Sequence, residues 1–417
     1  MDWEGLGFTD NPLDTDPIKQ KTLSLYVGHE NEAEICSKVL ASKNVNLIIE
    51  GARGVGTTSF ANLMRFEAQE KKLYFTPPKE IRVEAGWTVE TLFAAIIANV
   101  IRGLELAFFK KIEKNQSFQD AKAISNRIAE TYRTFGAQVG VSGFGGGINY
   151  GKTPGVVTQP VIVPTNVLGE HLEELAQLIK SLGFKHGLLI QLNNLDIGII
   201  HEETHLRYLF NSLRDYMQTD GISWILVGDE GLRSFIAQEV DRLDDIVSHE
   251  VVIKPLSQDN FKKLITRRVE YYRVNKNVEL PIDWAVMSYL HKLTHGRLRY
   301  IFGLLSRMLR LLHVGDLADK ISLDTAKPLI DRLIKDRLKQ KNLSELQENV
   351  LKVIARRESC SVSVIASTTG KSSSQISHVL RTLEELRLLK RIKKGKSVYV
   401  FPIFDVVLAY GKNGCDS

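Results

Sequence analysis

Eight residues, Gly51-Ala52-Arg53-Gly54-Val55-Gly56-Thr57-Thr58, lie between an apolar run at Val45 to Glu50 and a stretch of helical spacing at Thr58 to Glu70. Glycines at such a junction let backbone N–H groups turn toward phosphate, a helix N-terminus adds partial positive charge, and a hydroxyl such as that of Thr58 ligates magnesium. The spacing fits G-x-x-x-x-G-K-[ST] at Gly51, Gly56 and the final hydroxyl, but Thr57 stands where a lysine would neutralise the β and γ phosphates. Phosphate affinity should fall, with Arg53 as a partial substitute. A second apolar run, Gly187 to Leu192, ends in Asn193-Asn194-Leu195-Asp196, where an acid that holds magnesium through water is expected. Asn193 keeps the shape of that acid without its charge, and Asp196 could serve only if the register slips. Hydrolysis depends on the lysine and the metal-bound acid, each contributing several kcal/mol of transition-state stabilisation. ATP turnover is therefore not expected, and ATP or ADP with magnesium should bind weakly or not at all.

A different chemistry gathers near the end of the chain. Between Lys371 and Val400 there are eight Lys or Arg and two acids, a local excess equal to the whole chain's +6, so the other residues sum to zero. Leu346, Val350, Leu351 and Ile354 mark one amphipathic helix, Val362 to Ser367 a short second, and Gly370 a turn. In a third helix, Ser372 to Leu386, positions Ile376, Val379, Leu380 and Leu383 face inward. Ser373, Ser374, Gln375, Ser377, His378 and Arg381 are left for the exposed face. Two β-prone strands between Leu388 and Phe401 follow, joined at Lys394-Gly395 and carrying Lys390, Arg391, Lys393, Lys394 and Lys396. Three helices and a basic hairpin spell a winged helix, whose third helix enters the major groove of double-stranded DNA while the wing lies on phosphates. Such modules also serve protein contacts alone, and lysine-rich hairpins are often solvated edges.

These sites need elements to hold them. The chain has 417 residues, 43% hydrophobic and 25% charged, values of a globular protein of two or three domains. Its longest apolar run, Leu92 to Ile101, is short of the ~20 residues that cross a bilayer. Three cysteines far apart, Cys36, Cys360 and Cys415, argue against a disulfide framework, and a cytoplasmic setting is expected. Helices are expected at 30–42, 58–70, 88–112, 117–134, 166–182 and 203–217. Strands at 45–50, 81–84, 187–192 and 223–227 alternate with them, which implies a mostly parallel sheet covered on both faces. After Val252 the pattern is helical, at 257–275, 282–293, 297–313 and 323–340. Gly136 to Gly155 holds eight glycines in twenty residues, a glycine-rich hairpin or a mobile loop. His201-Glu-Glu-Thr-His205 matches H-E-x-x-H letter for letter, but no distant third ligand is evident and no metal site is expected.

Seven motifs occur in order: Tyr26-Val-Gly-His-Glu30, the loop at 51–58, Asn193-Asn-Leu-Asp196, Leu226-Val-Gly-Asp229, Lys254-Pro-Leu-Ser257, Gly296-Arg-Leu-Arg299 and the C-terminal winged helix. Together they resemble the AAA+/STAND family of P-loop ATPases, in the branch that includes origin-recognition initiators, over roughly residues 20–403. The resemblance implies an α/β class: a P-loop NTPase (AAA+-like) parallel sheet with a helical lid, followed by a winged helix-turn-helix domain. Its segments would be an N-terminal extension at 1–25, a core at 26–253 with a glycine-rich insert at 136–155, a lid at 254–341, the winged helix at 342–403 and a tail at 404–417. It also implies that Val27 and Gly28 line an adenine pocket, with His29 in place of the usual arginine. Asp229 would occupy the first sensor position, where an acid repels phosphate, and Arg299 the second, although Arg297 and Arg299 equally suit surface or packing roles. Arg242 is a candidate finger toward a neighbour. Proteins of this architecture act in replication initiation, transposition targeting and defence against mobile DNA. A DNA-binding subunit with degenerate motifs, assembling with itself or an active partner in a prokaryotic defence or mobile-element setting, is the first expectation. The alternatives are an ATP-dependent DNA-binding switch and a ligand-sensing transcription regulator.

Overall fold

The computed structural model describes residues 2–139, 163–197, 203–312, 320–357, 359–386, 388–394 and 397–411. The chain forms two compact units, one of residues 17–51 and 57–253, the other of 1–16, 52–56 and 254–417.

The first unit runs α1 (Glu30–Leu40), β1 (Asn46–Glu50), α2 (Thr57–Glu70), β2 (Ile81–Arg82), α3 (Val89–Ile112), α4 (Gln116–Val139) and α5 (Thr165–Ser181). It continues with β3 (Leu188–Asn193), α6 (Glu203–Leu213), β4 (Ile222–Gly228), α7 (Leu232–Glu239), α8 (Asp241–Asp244) and β5 (His249–Val252). Its sheet is parallel, in the order β2-β3-β4-β1-β5, with Ile48 level with Leu226 on one side and Glu250 on the other. A parallel sheet buried on both faces needs apolar strands without alternation, and β3 and β4 are buried at every position. Strand β5 lies at the edge, with Val251 its one buried residue. The glycine before β3 is required sterically: Gly187 has φ +88°, and a Cβ there would sit 2.3 Å from the Gly221 carbonyl oxygen.

Helix α3 buries Leu92, Phe93, Ile96, Ile97, Val100 and Leu104 in a core shared with Leu172, Leu188 and Trp224. By length and composition it could cross a bilayer, more than the short apolar run in the sequence suggested, but these side chains are committed to the core. Helix α4 continues through Val139, so Gly136 opens no hairpin, and the rest of the glycine-rich segment, 140–155, lies outside the described residues.

The second unit contains α9 (Gln258–Tyr272), α10 (Trp284–Leu293), α11 (Leu298–Leu311), α12 (Leu323–Lys339) and α13 (Glu345–Arg357). Then come β6 (Cys360–Ser361), α14 (Val362–Thr369), α15 (Ser373–Glu385), β7 (Leu389–Lys394), β8 (Ser397–Pro402) and α16 (Phe404–Tyr410). The three strands form an antiparallel sheet in the order β6-β8-β7. Residues 404–410 are therefore a helix where a tail was expected. It buries Val406, Leu408 and Ala409, and the Tyr410 hydroxyl donates to Glu348 Oε1 at 2.9 Å. The first residues, expected as an N-terminal extension, are tied to the end of α9. The Thr9 amide donates to the Tyr272 carbonyl at 2.7 Å and the Val274 amide to the Gly7 carbonyl at 2.9 Å, while Phe8 is fully buried. The half-buried Arg268 donates through Nη1 to the carbonyls of Pro12 and Asp14.

Candidate functional site

The loop between β1 and α2 has the left-handed glycines its chemistry requires, Gly54 at φ +93° and Gly56 at φ +112°. Within the second unit this loop meets the start of α11. The Arg299 amide donates to the Gly54 carbonyl at 3.1 Å, and a Cβ on Gly54 would stand 3.2 Å from that of Arg299. The side chains of Arg53 and Arg299 are exposed. Arg297 faces elsewhere: its guanidinium lies 3.9 Å from the centre of the Phe404 ring, and Tyr300 packs edge-on against the same ring at 4.8 Å. Of the two arginines, Arg297 takes a packing role and Arg299 stays beside the glycine loop.

In the first unit the structure brings Thr58 and Asn193 together. Asn193 is 2% exposed, and its Nδ2 donates a long hydrogen bond of 3.4 Å to Thr58 Oγ1. The orientation of that amide is set by Gln191, whose Nε2 donates to Asn193 Oδ1 at 2.9 Å. Gln191 was missed in the sequence, although a lone polar residue in the apolar run Leu188-Leu-Ile-Gln-Leu192 is a visible signal. The nearby acids hold the backbone. Asp229 Oδ1 accepts from the Ile197 amide at 3.2 Å, and Glu50 Oε2 accepts from the Arg233 amide at 2.9 Å. Asp229 thus fastens the segment after β3, a use that the sensor reading did not foresee. Asp196 lies half-buried just beyond Asn194, a residue held at φ +64°. The group directed at Thr58 is an amide N–H, which unlike the carboxylate expected there offers a hard cation no oxygen.

Val27 is buried, and Gly28, at φ +85°, donates its amide to Glu30 Oε1 at 3.2 Å. His29 turns inward: its Nδ1 is hydrogen-bonded to the Tyr26 hydroxyl at 2.9 Å, and both rings pack against Phe60. Burial, then the charges of Glu32 and Glu30, hold the Tyr26 phenol far above its usual range, so the phenol stays neutral and able to donate. Arg242, on α8, is exposed.

In the winged helix, Ile376, Leu380 and Leu383 are fully buried, and Ser373, Ser374, Gln375, Ser377, His378 and Arg381 are exposed. Not all six are uncommitted. Gln375 closes a capping box with Ser372, an arrangement that satisfies the first N–H groups of α15, and the Ser377 hydroxyl donates to the Ser373 carbonyl at 2.8 Å. Arg391, expected from sequence to meet phosphate, pairs with Glu384 in this structure. Its Nε donates to Glu384 Oε2 at 2.7 Å and its amide to Oε1 at 3.1 Å, and Nη2 makes a further contact. That pairing fastens β7 to α15. Lys390 is half-buried at the start of the hairpin. The side chains of Lys393 and Lys394, and Lys396 altogether, lie outside the described residues, as do His201 and Glu202 of the H-E-x-x-H match.

No family model matches this chain, and no curated protein does. Among solved structures it is similar to the ORC2 protein of Aeropyrum pernix in its ADP form, at 13% identity over 95% of both chains with a TM-score of 0.50. It is also similar to a Walker-type ATPase of Pyrococcus abyssi, at 14% identity over 95% of this chain and 99% of that one with a TM-score of 0.51. Identity this low speaks for the fold alone. That shared fold is an α/β unit with a five-stranded parallel sheet, followed by a run of helices and a C-terminal winged helix.

Proposed function

We propose, from an AAA+ fold that ends in a winged helix, that this protein binds double-stranded DNA through α15 and the β7–β8 hairpin. In this reading the P-loop core does not hydrolyse ATP and serves as a scaffold for assembly with copies of itself or a partner. The observation that carries the proposal is the outward row of α15. His378 and Arg381, one helical turn apart and both exposed, stand on a helix whose opposite face is fully buried. The adjacent hairpin adds Lys390, Arg391, Lys393, Lys394 and Lys396 and no acid, with Arg391 committed to Glu384. Side chains on such a row reach base edges, and lysines beside it lie against phosphates. Thr57 and Asn193, in place of a lysine and an acid, support the absence of turnover.

The test is titration of labelled duplex DNA with the full-length protein at several salt concentrations. Affinity should fall steeply with salt, with a log–log slope of about −0.9 per phosphate contact. Arg381→Ala should weaken binding by roughly 1–3 kcal/mol and relax preference at one base position. No binding at low ionic strength, or identical affinity for the variant, would sink the proposal. A second reading, the ATP-dependent switch, is favoured by the hydrogen bond from Arg299 to Gly54, which links the lid to the glycine loop. Magnesium-dependent ATP turnover, or DNA affinity that changes with ATP, would put it first.

A further inference from the structure

We infer that the phosphate-binding loop of this protein takes its ligand without a divalent cation. This deepens the reading that the core does not turn over ATP, and it concerns a site separate from the DNA-binding face. In a P-loop of ordinary composition, magnesium neutralises the phosphates and is held by the Thr or Ser hydroxyl and, through water, by an acid at the end of a neighbouring strand. Here the strand end carries Asn193, buried at 2% exposed. Its Oδ1 is occupied by Gln191 Nε2 at 2.9 Å, so Nδ2 is the group directed at Thr58 Oγ1. Gln191 is itself only 1% exposed, and its Oε1 has no hydrogen-bond partner among the described residues, so this buried polar pair is maintained at a cost.

A carboxamide in this place is uncharged in either orientation, and as oriented it presents N–H donors. Donors repel a cation and accept an anionic oxygen. Two further acids at strand ends, Glu50 and Asp229, already receive the amides of Arg233 and Ile197. The groups beside the Thr58 hydroxyl are donors: the Asn193 amide and, as at the start of any α-helix, the N–H groups of the first turn of α2. That set suits the bare polyphosphate of ADP or ATP rather than its magnesium complex.

The experiment is calorimetric titration of the full-length protein with ADP and with ATP, in millimolar magnesium and again in EDTA. The expected result is binding in both buffers with dissociation constants equal to within about twofold. Asn193→Asp should restore the metal requirement, weakening binding in EDTA and making magnesium worth roughly tenfold. The inference is overturned if magnesium tightens binding to the unaltered protein by roughly tenfold or more, or if neither nucleotide binds in either buffer. It is equally overturned if a folded Asn193→Asp protein shows no gain from magnesium. Should that variant not fold, the comparison on the unaltered chain decides alone. The duplex-DNA titration is a separate readout, so failure of the DNA reading is not mistaken for failure of this one.

Discussion

At the scale of single residues, the most demanding group in the first unit is Arg65. It is 1% exposed and donates to Asn62 Oδ1, Thr76 Oγ1 and the Pro77 carbonyl, with Glu80 at 3.7 Å. Burial lowers its guanidinium to about 10, opposed by the charge of Glu80, so it remains charged at neutral pH. Arg65→Met would leave those acceptors and Glu80 without their partner, and should cost about 3–5 kcal/mol in denaturant unfolding. A neutral effect would mean the pocket relaxes onto water. Cys36 is a simpler case. Burial, then the charge of Glu32, pushes its thiol up to about 12, and it is fully buried. With Cys360 and Cys415 replaced by serine, a thiol reagent at neutral pH should modify Cys36 only at the rate of unfolding. Labelling that outpaces unfolding would show local opening around α1. Neither role was legible beforehand. The amide pair beside the glycine loop was half legible: Asn193 was read as a lost acid, but its contact with Thr58 spans 135 residues of chain, and no local pattern encodes that.

At the scale of elements, legibility followed burial. Strands β1, β3 and β4 are buried along almost their whole length and mostly apolar because both faces are covered, and their positions came within two residues of expectation. Strand β5, His249-Glu-Val-Val252, buries one residue at a sheet edge and carries no comparable pattern. Helix α7 begins at Gly231 rather than at a capping Ser, Thr or Asp, so the usual start signal is missing. Helix α16 is only seven residues long, and its apolar side chains become meaningful once α13 and α12 are there to receive them. Two predictions belong here. Gly187→Ala forces a side chain into left-handed backbone and against the Gly221 carbonyl, and should destabilise by roughly 2–4 kcal/mol, seen as a lower denaturation midpoint. Ending the chain after Ile403 exposes the apolar surface now covered by Val406 and Leu408, each worth about 1.5–3 kcal/mol. The shortened protein should show a lower melting temperature, and an unchanged one would mean α16 contributes nothing to its unit.

At the scale of the whole molecule, the division into two units does not follow the order of the chain. The backbone passes from one to the other at Asp16–Pro17, Gly51–Ala52, Gly56–Thr57 and Ile253–Lys254. The first sixteen residues thereby belong with helices that follow some 240 positions later, tied by Thr9, Val274 and the Arg268 guanidinium. The consequence is one of heredity. A recombination that exchanged everything after Ile253 would bring in a lid without its own leader, and the newcomer's counterpart of Arg268 would face carbonyls shaped by another lineage. Leader and lid are expected to descend together, each recording in its substitutions the changes accepted by the other.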